Sequence, residues 1–412
     1  MPFRLTAGLI AIAMLTGTTC PITTTPSEFP KTVAWEPHTV NTGAAVRPTV
    51  VEVADFDNDN KMDVVAGYAG QDAQLPAVFI YFQADVNTFT AVQLASSADL
   101  SGVTALAVAD IDGDTHRDVV VACNGRLQYL HSPADPRQSS GWMMSTIDQS
   151  SGTGIGQWSD VAVNTIDGAT NGPDLVASNQ NTGRLSWFKS PGPSPADGTG
   201  WLRTDIDAAT RANAAGVAIA DFDADTRLDV ISTAPGEGGG AAPRIAWYKN
   251  PADPVADTWE KHAIGDLPSA TRVILADLDA DGRSDVVSIN GPGRQVAWYD
   301  RPTDATTDWP GFLITQFTSN TPIDVKAADI DGNNQLDLVV ATQNANTLRW
   351  FTPAPGHVQT DQWIENNLRD LEGIPSRIAL GDMDGDGRPD VVVPLQGQTT
   401  AQDSIIWFEN PE

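Results

Sequence analysis

The sequence predicts an all-β chain, a seven-bladed β-propeller of four-stranded blades, with the ring closed by an N-terminal strand (33–40) that joins the last blade. Three observations predict it. An Asp-rich loop recurs at steps of 52–56 residues along the 412-residue chain. Each loop is flanked by short Val-rich and aromatic segments, separated by Gly, Pro and Asn/Asp, with no helical period of useful length. The outermost segment of the last copy is missing at the C-terminus and reappears at the N-terminus. A linear array has no use for that displacement, whereas a ring uses it to pair its two ends and hide a sheet edge.

In chain order, Arg4 precedes an apolar run (5–15) and a small-residue stretch that ends at Cys20. Residues 1–20 therefore read as an export signal, because the run is too short to span a bilayer. Cys20 leaves two outcomes open, ordinary cleavage nearby or a lipid anchor on its thiol. Residues 21–32, rich in Thr and Pro, read as a linker. The propeller takes 33–411.

The loop motif is Ala-Asp-x-Asp-x-Asp-x-x-x-Asp-Val-Val, counted from its first Asp as position 1. Complete copies start at Asp55, Asp110, Asp221, Asp277, Asp329 and Asp382, and a damaged third copy starts at Thr165 and keeps Asp167 and Asp174. The strand before each loop is innermost. It carries apolar residues such as Val51/Val53 and Val217/Ile219, alternating mostly with Ala or Gly, as crowding near an axis requires. A Val-rich strand follows the loop. The third strand carries an aromatic, read as Tyr81, Tyr129, Trp187, Trp247, Trp298, Trp350 and Trp407. The outer strand is marked by an aromatic five residues before an apolar residue: Phe89/Leu94, Trp142/Ile147, Trp201/Ile206, Trp259/Ile264, Phe312/Phe317, Trp363/Leu368 and the displaced Trp35/Val40. His38 and His262 share one outer-strand position.

The loops carry the chemistry. Of 53 acidic residues nine are Glu and 44 are Asp, and 23 of those Asp lie in the six complete loops. Several oxygen donors at flexible geometry suit calcium better than zinc or magnesium. The predicted ligands are Asp55, Asp57, Asp59, Lys61 and Asp63; Asp110, Asp112, Asp114, His116 and Asp118; Asp221, Asp223, Asp225, Arg227 and Asp229; Asp277, Asp279, Asp281, Arg283 and Asp285; Asp329, Asp331, Asn333, Gln335 and Asp337; and Asp382, Asp384, Asp386, Arg388 and Asp390. Positions 1, 3 and 5 offer carboxylates, position 7 a backbone carbonyl, and position 9 a closing, bidentate carboxylate. Position 12 is never Glu and the flanks are β-branched, so the site is strand–loop–strand rather than an EF-hand. Turn-favouring Asp alone is the plainer alternative. Six loops in register favour about six Ca2+ sites, and the third copy is not counted as one.

These loops, with trailing Trp-Tyr/Phe-x-x-Pro strands, resemble FG-GAP/VCBS-type repeats over 33–411. Such repeats occur in integrin α-subunit propellers, in lectins, and in bacterial secreted and polysaccharide-active proteins. The resemblance implies the calcium-binding propeller and no single activity.

Net charge −29 argues against nucleic acid, and outside the leader no apolar run is long enough for a transmembrane segment. Two cysteines exclude a disulfide scaffold. Near the expected axis the repeat breaks. Five residues before each first Asp stand Val50, Ala105, Asp160, Gly216, Arg272, Asp324 and Arg377, and two residues later Glu52 and Lys326 replace small residues. These charges either orient a polar ligand or form ion pairs that plug the channel. Trp158 and Trp309 stand outside the aromatic pattern, so Trp158, Arg272, Arg377 and Trp309 are candidate ligand-binding residues, with loop anchoring the alternative for both Trp. The chain reads as an exported binding or adhesion module for a glycan, or for an extracellular or envelope protein. A polysaccharide lyase or dehydratase and a purely structural envelope protein are the other two readings.

Overall fold

The computed structural model describes residues 34–42, 47–69, 76–96, 98–149, 157–168, 172–192, 200–208, 213–234, 244–354, 362–399 and 402–411. The expected export signal, the linker and Cys20 lie outside the described residues. Their strands form seven antiparallel sheets, each running in chain order from the innermost strand outward. Blade 1 is Pro48–Ala54, Asp63–Tyr68, Pro76–Asp85 and Thr88–Ser96. Trp35 to Pro411 is one compact unit.

Blade 7 is the exception, as expected from the displaced segment. Its inner strand is broken into Ile374–Pro375 and Ala379–Gly381, both paired with Asp390–Gln396. Its outer strand is Glu36–Thr42, which pairs antiparallel with Ser404–Glu409, setting Glu36 opposite Glu409 and His38 opposite Trp407. The two chain ends thus complete one sheet.

The second strand of each blade explains the Val runs. Asp63–Tyr68, Asp118–Cys123, Asp174–Asn179 and Asp285–Asn290 are buried along their whole length, so both faces carry apolar or small residues. Blade-to-blade cores cover those faces. Tyr129 of blade 2 packs with Trp158 and Phe188 of blade 3, and Val51 and Tyr81 of blade 1 pack with Val392 and Trp407 of blade 7. The closing seam is therefore an apolar core like the others. At the inner edge, side-chain hydroxyls stitch one blade to the next at four of the seven seams. Thr49 donates to Val103 O (2.7 Å), Thr104 to Trp158 O (2.5 Å), Ser159 to Ala214 O (3.0 Å) and Ser376 to Pro48 O (3.3 Å).

Strand register corrects two assignments. Ile231 pairs with Trp247 two residues after Asp229, and the matching partner in blade 1, opposite Val65, is Ile80 rather than Tyr81. Trp298 pairs with Phe312 just as Trp247 pairs with His262, so Phe312 matches His262, and Trp309 matches Trp259. The outer-strand pair of blade 5 is Trp309/Ile314, both buried, and Trp309 belongs to the repeat.

Candidate metal loops and axial channel

Each complete loop has the same backbone. Positions 4 and 6 have positive φ: Asn58/Asn60, Gly113/Thr115, Ala224/Thr226, Ala280/Gly282, Gly332/Asn334 and Gly385/Gly387. For Thr115 and Thr226, β-branched residues, this conformation is strained. It turns backbone N–H groups onto the carboxylates. The position 6 N–H donates to the position 1 Oδ2 at 2.8–2.9 Å in all six loops. The position 7 N–H donates to the position 5 side chain at 2.7–2.9 Å. Carboxylate oxygens converge as a result. Those of Asp55, Asp57 and Asp63, of Asp110, Asp112 and Asp114, and of Asp221, Asp223 and Asp225 lie within 4.8 Å of one another. An all-oxygen, flexible donor set of this kind fits a hard divalent cation.

Position 9 does more than close a shell. In blades 1, 2, 4, 5 and 7 one oxygen accepts the N–H of position 2 and the other accepts an N–H near the end of the third strand or just past it. For Asp63 the donors are Phe56 (3.0 Å) and Gln83 (2.8 Å), and for Asp390 they are Met383 and Asn410 (both 2.7 Å). Asp174 accepts from Ile166 (3.0 Å) and Ser190 (2.8 Å), although its loop is the damaged copy. The bond pair therefore forms without an intact metal loop. Blade 6 departs, since Pro353 has no N–H to give there and Asp337 keeps the Ile330 bond (2.9 Å). Burial pushes Asp63, Asp229, Asp285 and Asp390 up to about 7, against the pull of those N–H groups, and neighbouring loop carboxylates add to the rise.

Position 7 was expected to offer its backbone carbonyl, and in five of the six complete loops its side chain also engages the loop. Arg227, Arg283 and Arg388 pair with Asp225, Asp281 and Asp386, and their Nε atoms donate to the carbonyls of Asn250 (2.9 Å), Arg301 (3.0 Å) and Asn410 (3.2 Å). Lys61 spans Asp59 (3.6 Å) and Ala84 O (2.7 Å), and His116 Nδ1 lies 3.2 Å from Asp114. A crowd of carboxylates makes a cation at this position favourable. The run Lys, His, Arg, Arg, Gln, Arg was the signal for it.

Other cations reach into particular loops. Lys189 Nζ lies 2.7 Å from Asp167 in the damaged third loop, where it supplies positive charge. Lys249 contacts Asp223 and lies 3.1 Å from Asp225 in the fourth. His131 Nδ1 lies 3.3 Å from Asp112 and 3.5 Å from Asp118, and Arg137 pairs with Asp57.

On the axis, the symmetry-breaking charges meet. Arg377 of blade 7 reaches Asp160 of blade 3 (2.7 Å) and the Ser159 carbonyl (2.8 Å). Arg272 Nε lies 4.0 Å from Asp324 and has no hydrogen-bond partner. Lys326 Nζ lies 3.6 Å from Glu52. The free oxygens of Asp160 and Asp324 accept the Val217 (3.1 Å) and Ile378 (2.9 Å) N–H groups of the neighbouring blades. Ion pairs thus bridge the channel at two levels. Burial, with Arg377 close by, lowers Arg272 to about 10.

On the side away from the Asp loops lies a cavity of about 480 Å³, floored by Arg272 and Arg377 and walled by Thr49, Gln157, Gln180, Thr321 and Gln343 among others. Trp158 and Trp309 do not present a face to it. Trp158 is fully buried against Phe188, and Trp309 is buried with its Nε1 donating to Ala305 O (3.0 Å). Both are anchors. The Gln residues of the wall carried no repeat signal in the sequence.

The FG-GAP-like repeat family matches at residues 55–121, 277–340 and 329–393. No curated protein matches the sequence. Among solved structures, BBS1N in complex with ARL6DN aligns over 92% of this chain and 98% of its own, with 12% identity and a TM-score of 0.57. An Agrocybe aegerita lectin recognising non-reducing terminal N-acetylglucosamine aligns over 79% of this chain and 81% of its own, with 13% identity and a TM-score of 0.50. The periplasmic gluconolactonase of Pseudomonas aeruginosa aligns over 88% and 89%, with 14% identity and a TM-score of 0.51. At such identities the likeness is one of fold. Among the described residues no helix is long and apolar enough to cross a membrane.

Proposed function

We propose that this chain, which carries FG-GAP-like repeats on a seven-bladed propeller, is an exported, calcium-stabilised binding module whose ligand is a glycan. The observation that carries the reading is the axial cavity. Blades across the ring contribute amide and hydroxyl groups to it, above a guanidinium that lacks a hydrogen-bond partner at Nε. Convergent polar groups at the mouth of a rigid ring orient a hydroxyl-rich ligand. The lectin of similar fold is consistent with this choice of ligand.

Calcium is proposed at the six complete loops, with Asp or Asn at positions 1, 3 and 5 as donors. Loop 4 binds more weakly because Lys249 competes there. Export fits the apolar leader, since extracellular calcium modules bind at about 0.1–1 mM.

A glycan array probed in millimolar calcium tests the reading. Selected glycans are expected to bind, and Gln180→Ala to abolish binding without changing the melting temperature. Arg272→Ala is expected to abolish binding as well, in protein that circular dichroism shows to be folded, with a lower melting temperature because Asp324 loses its partner. Binding unchanged in both variants refutes this placement of the site.

A further inference from the structure

Glu36, His38 and Glu409 bring ligand atoms within 4.8 Å of one another on the strand pair that closes the ring. Glu36 stands directly opposite Glu409, and like charges so placed destabilise a sheet. His38 Nε2 lies 3.0 Å from Glu409 Oε2. The other ring nitrogen, Nδ1, lies 2.9 Å from Asn87 Oδ1. An amide oxygen only accepts, so Nδ1 donates to it, and Nε2 is the ring nitrogen that faces the glutamates and is placed to hold a metal ion with them. The ring also stacks on Trp407, with centroids 4.2 Å apart. An imidazole oriented by a hydrogen bond on its far nitrogen, with two carboxylates beside it, has the arrangement of a metal ligand and its supporting shell.

The repeat supplies an internal comparison. In blade 4 the outer strand carries Glu260 and His262 at the positions of Glu36 and His38, and His262 stacks on Trp247 (4.4 Å). There the residue opposite the glutamate is Lys249, not a second glutamate. Blade 4 thus pairs opposite charges where blade 7 gathers two negative charges around an oriented imidazole.

We propose that Glu36, His38 and Glu409 form a surface site for one zinc-class divalent ion that fastens the N-terminal strand to the last blade. Three protein donors with one nitrogen suit zinc, which completes a tetrahedron with water, better than calcium. The site is separate from the axial cavity and shares no ligand with the Asp loops, although Glu409 lies within electrostatic reach of Asp384 in the seventh loop.

Zinc titration by calorimetry in millimolar calcium tests it. The wild type is expected to take up one zinc at micromolar affinity and to melt higher with zinc than without. His38→Ala, and Glu409→Lys, which copies blade 4, are each expected to weaken that uptake by at least about tenfold, and His262→Ala to leave it intact. Circular dichroism and the zinc-free melting temperature show whether each variant is folded, so loss of folding is not read as loss of binding. No micromolar uptake by the wild type, or equal uptake by folded His38→Ala, overturns the proposal and leaves an imidazolium–carboxylate ion pair.

Discussion

In the third blade Asp174 sits in a loop that has lost its metal-binding pattern, yet its carboxylate still accepts the N–H groups of Ile166 and Ser190. Two charge-assisted bonds contribute about 1.5–3 kcal/mol each. Asp174→Ala is therefore expected to cost at least about 3 kcal/mol, near 4 °C of melting temperature for a chain of this size, with calcium stoichiometry unchanged. Equilibrium dialysis beside a thermal melt checks both. The same position carries a pH dependence. In Asp63, Asp229, Asp285 and Asp390 the folded pKa is raised from 3.8 to about 7, so the calcium-free fold holds the proton more tightly than the unfolded chain does. That stabilisation is complete below pH 3.8 and is lost as pH rises through about 7. Melts in chelator are expected to be lower at pH 8 than at pH 6. A flat profile contradicts the assignment.

At the scale of the element, the blades are strand–loop–strand units whose Asp crowding is offset in several ways, by a Lys or Arg at position 7 in four loops, by a third-strand lysine in two, and under the proposed function by calcium. Lys249 occupies oxygens of Asp223 and Asp225 that the proposed calcium ion would need. Lys249→Met is expected to strengthen calcium binding at the fourth loop, read by calorimetry as tighter or additional uptake. Unchanged binding means that the lysine does not compete. Much of each element was legible beforehand, because four strands, the loop and the aromatic positions recur with fixed spacing. The misreadings have local causes. Trp309 and Phe312 both lie five residues before an apolar residue, and only the pairing of Trp298 with Phe312 decides between them. Tyr81 follows Ile80 directly, so a pattern that asks for an aromatic picks the wrong residue. Trp309→Ala is expected to cost about 3–5 kcal/mol as a core deletion, with glycan binding retained.

Across the whole molecule, the sequence placed the charged residues at their depth along the axis but not their partners. Spacing from each Asp loop fixes depth. Which blade faces which follows only from the ring, where Arg377 reaches Asp160 four blades along the chain order. Ring closure itself was legible in the displaced Trp35 segment, and the seam core of Val51, Tyr81, Val392 and Trp407 gives it its energy. Removing residues 1–42 leaves Ser404–Glu409 an unpaired edge, so that variant is expected to self-associate on size exclusion. Under the proposed function, calcium in the Asp loops stabilises this ring. At about 1 mM calcium, sites of 0.1–1 mM affinity contribute roughly 0.4–1.4 kcal/mol each, and six of them shift the melting temperature by about 3–10 °C. The direct measurement is a thermal melt in calcium against one in excess EGTA: a fall of that size, restored by added calcium, is expected, and an identical melt in both would contradict calcium stabilisation.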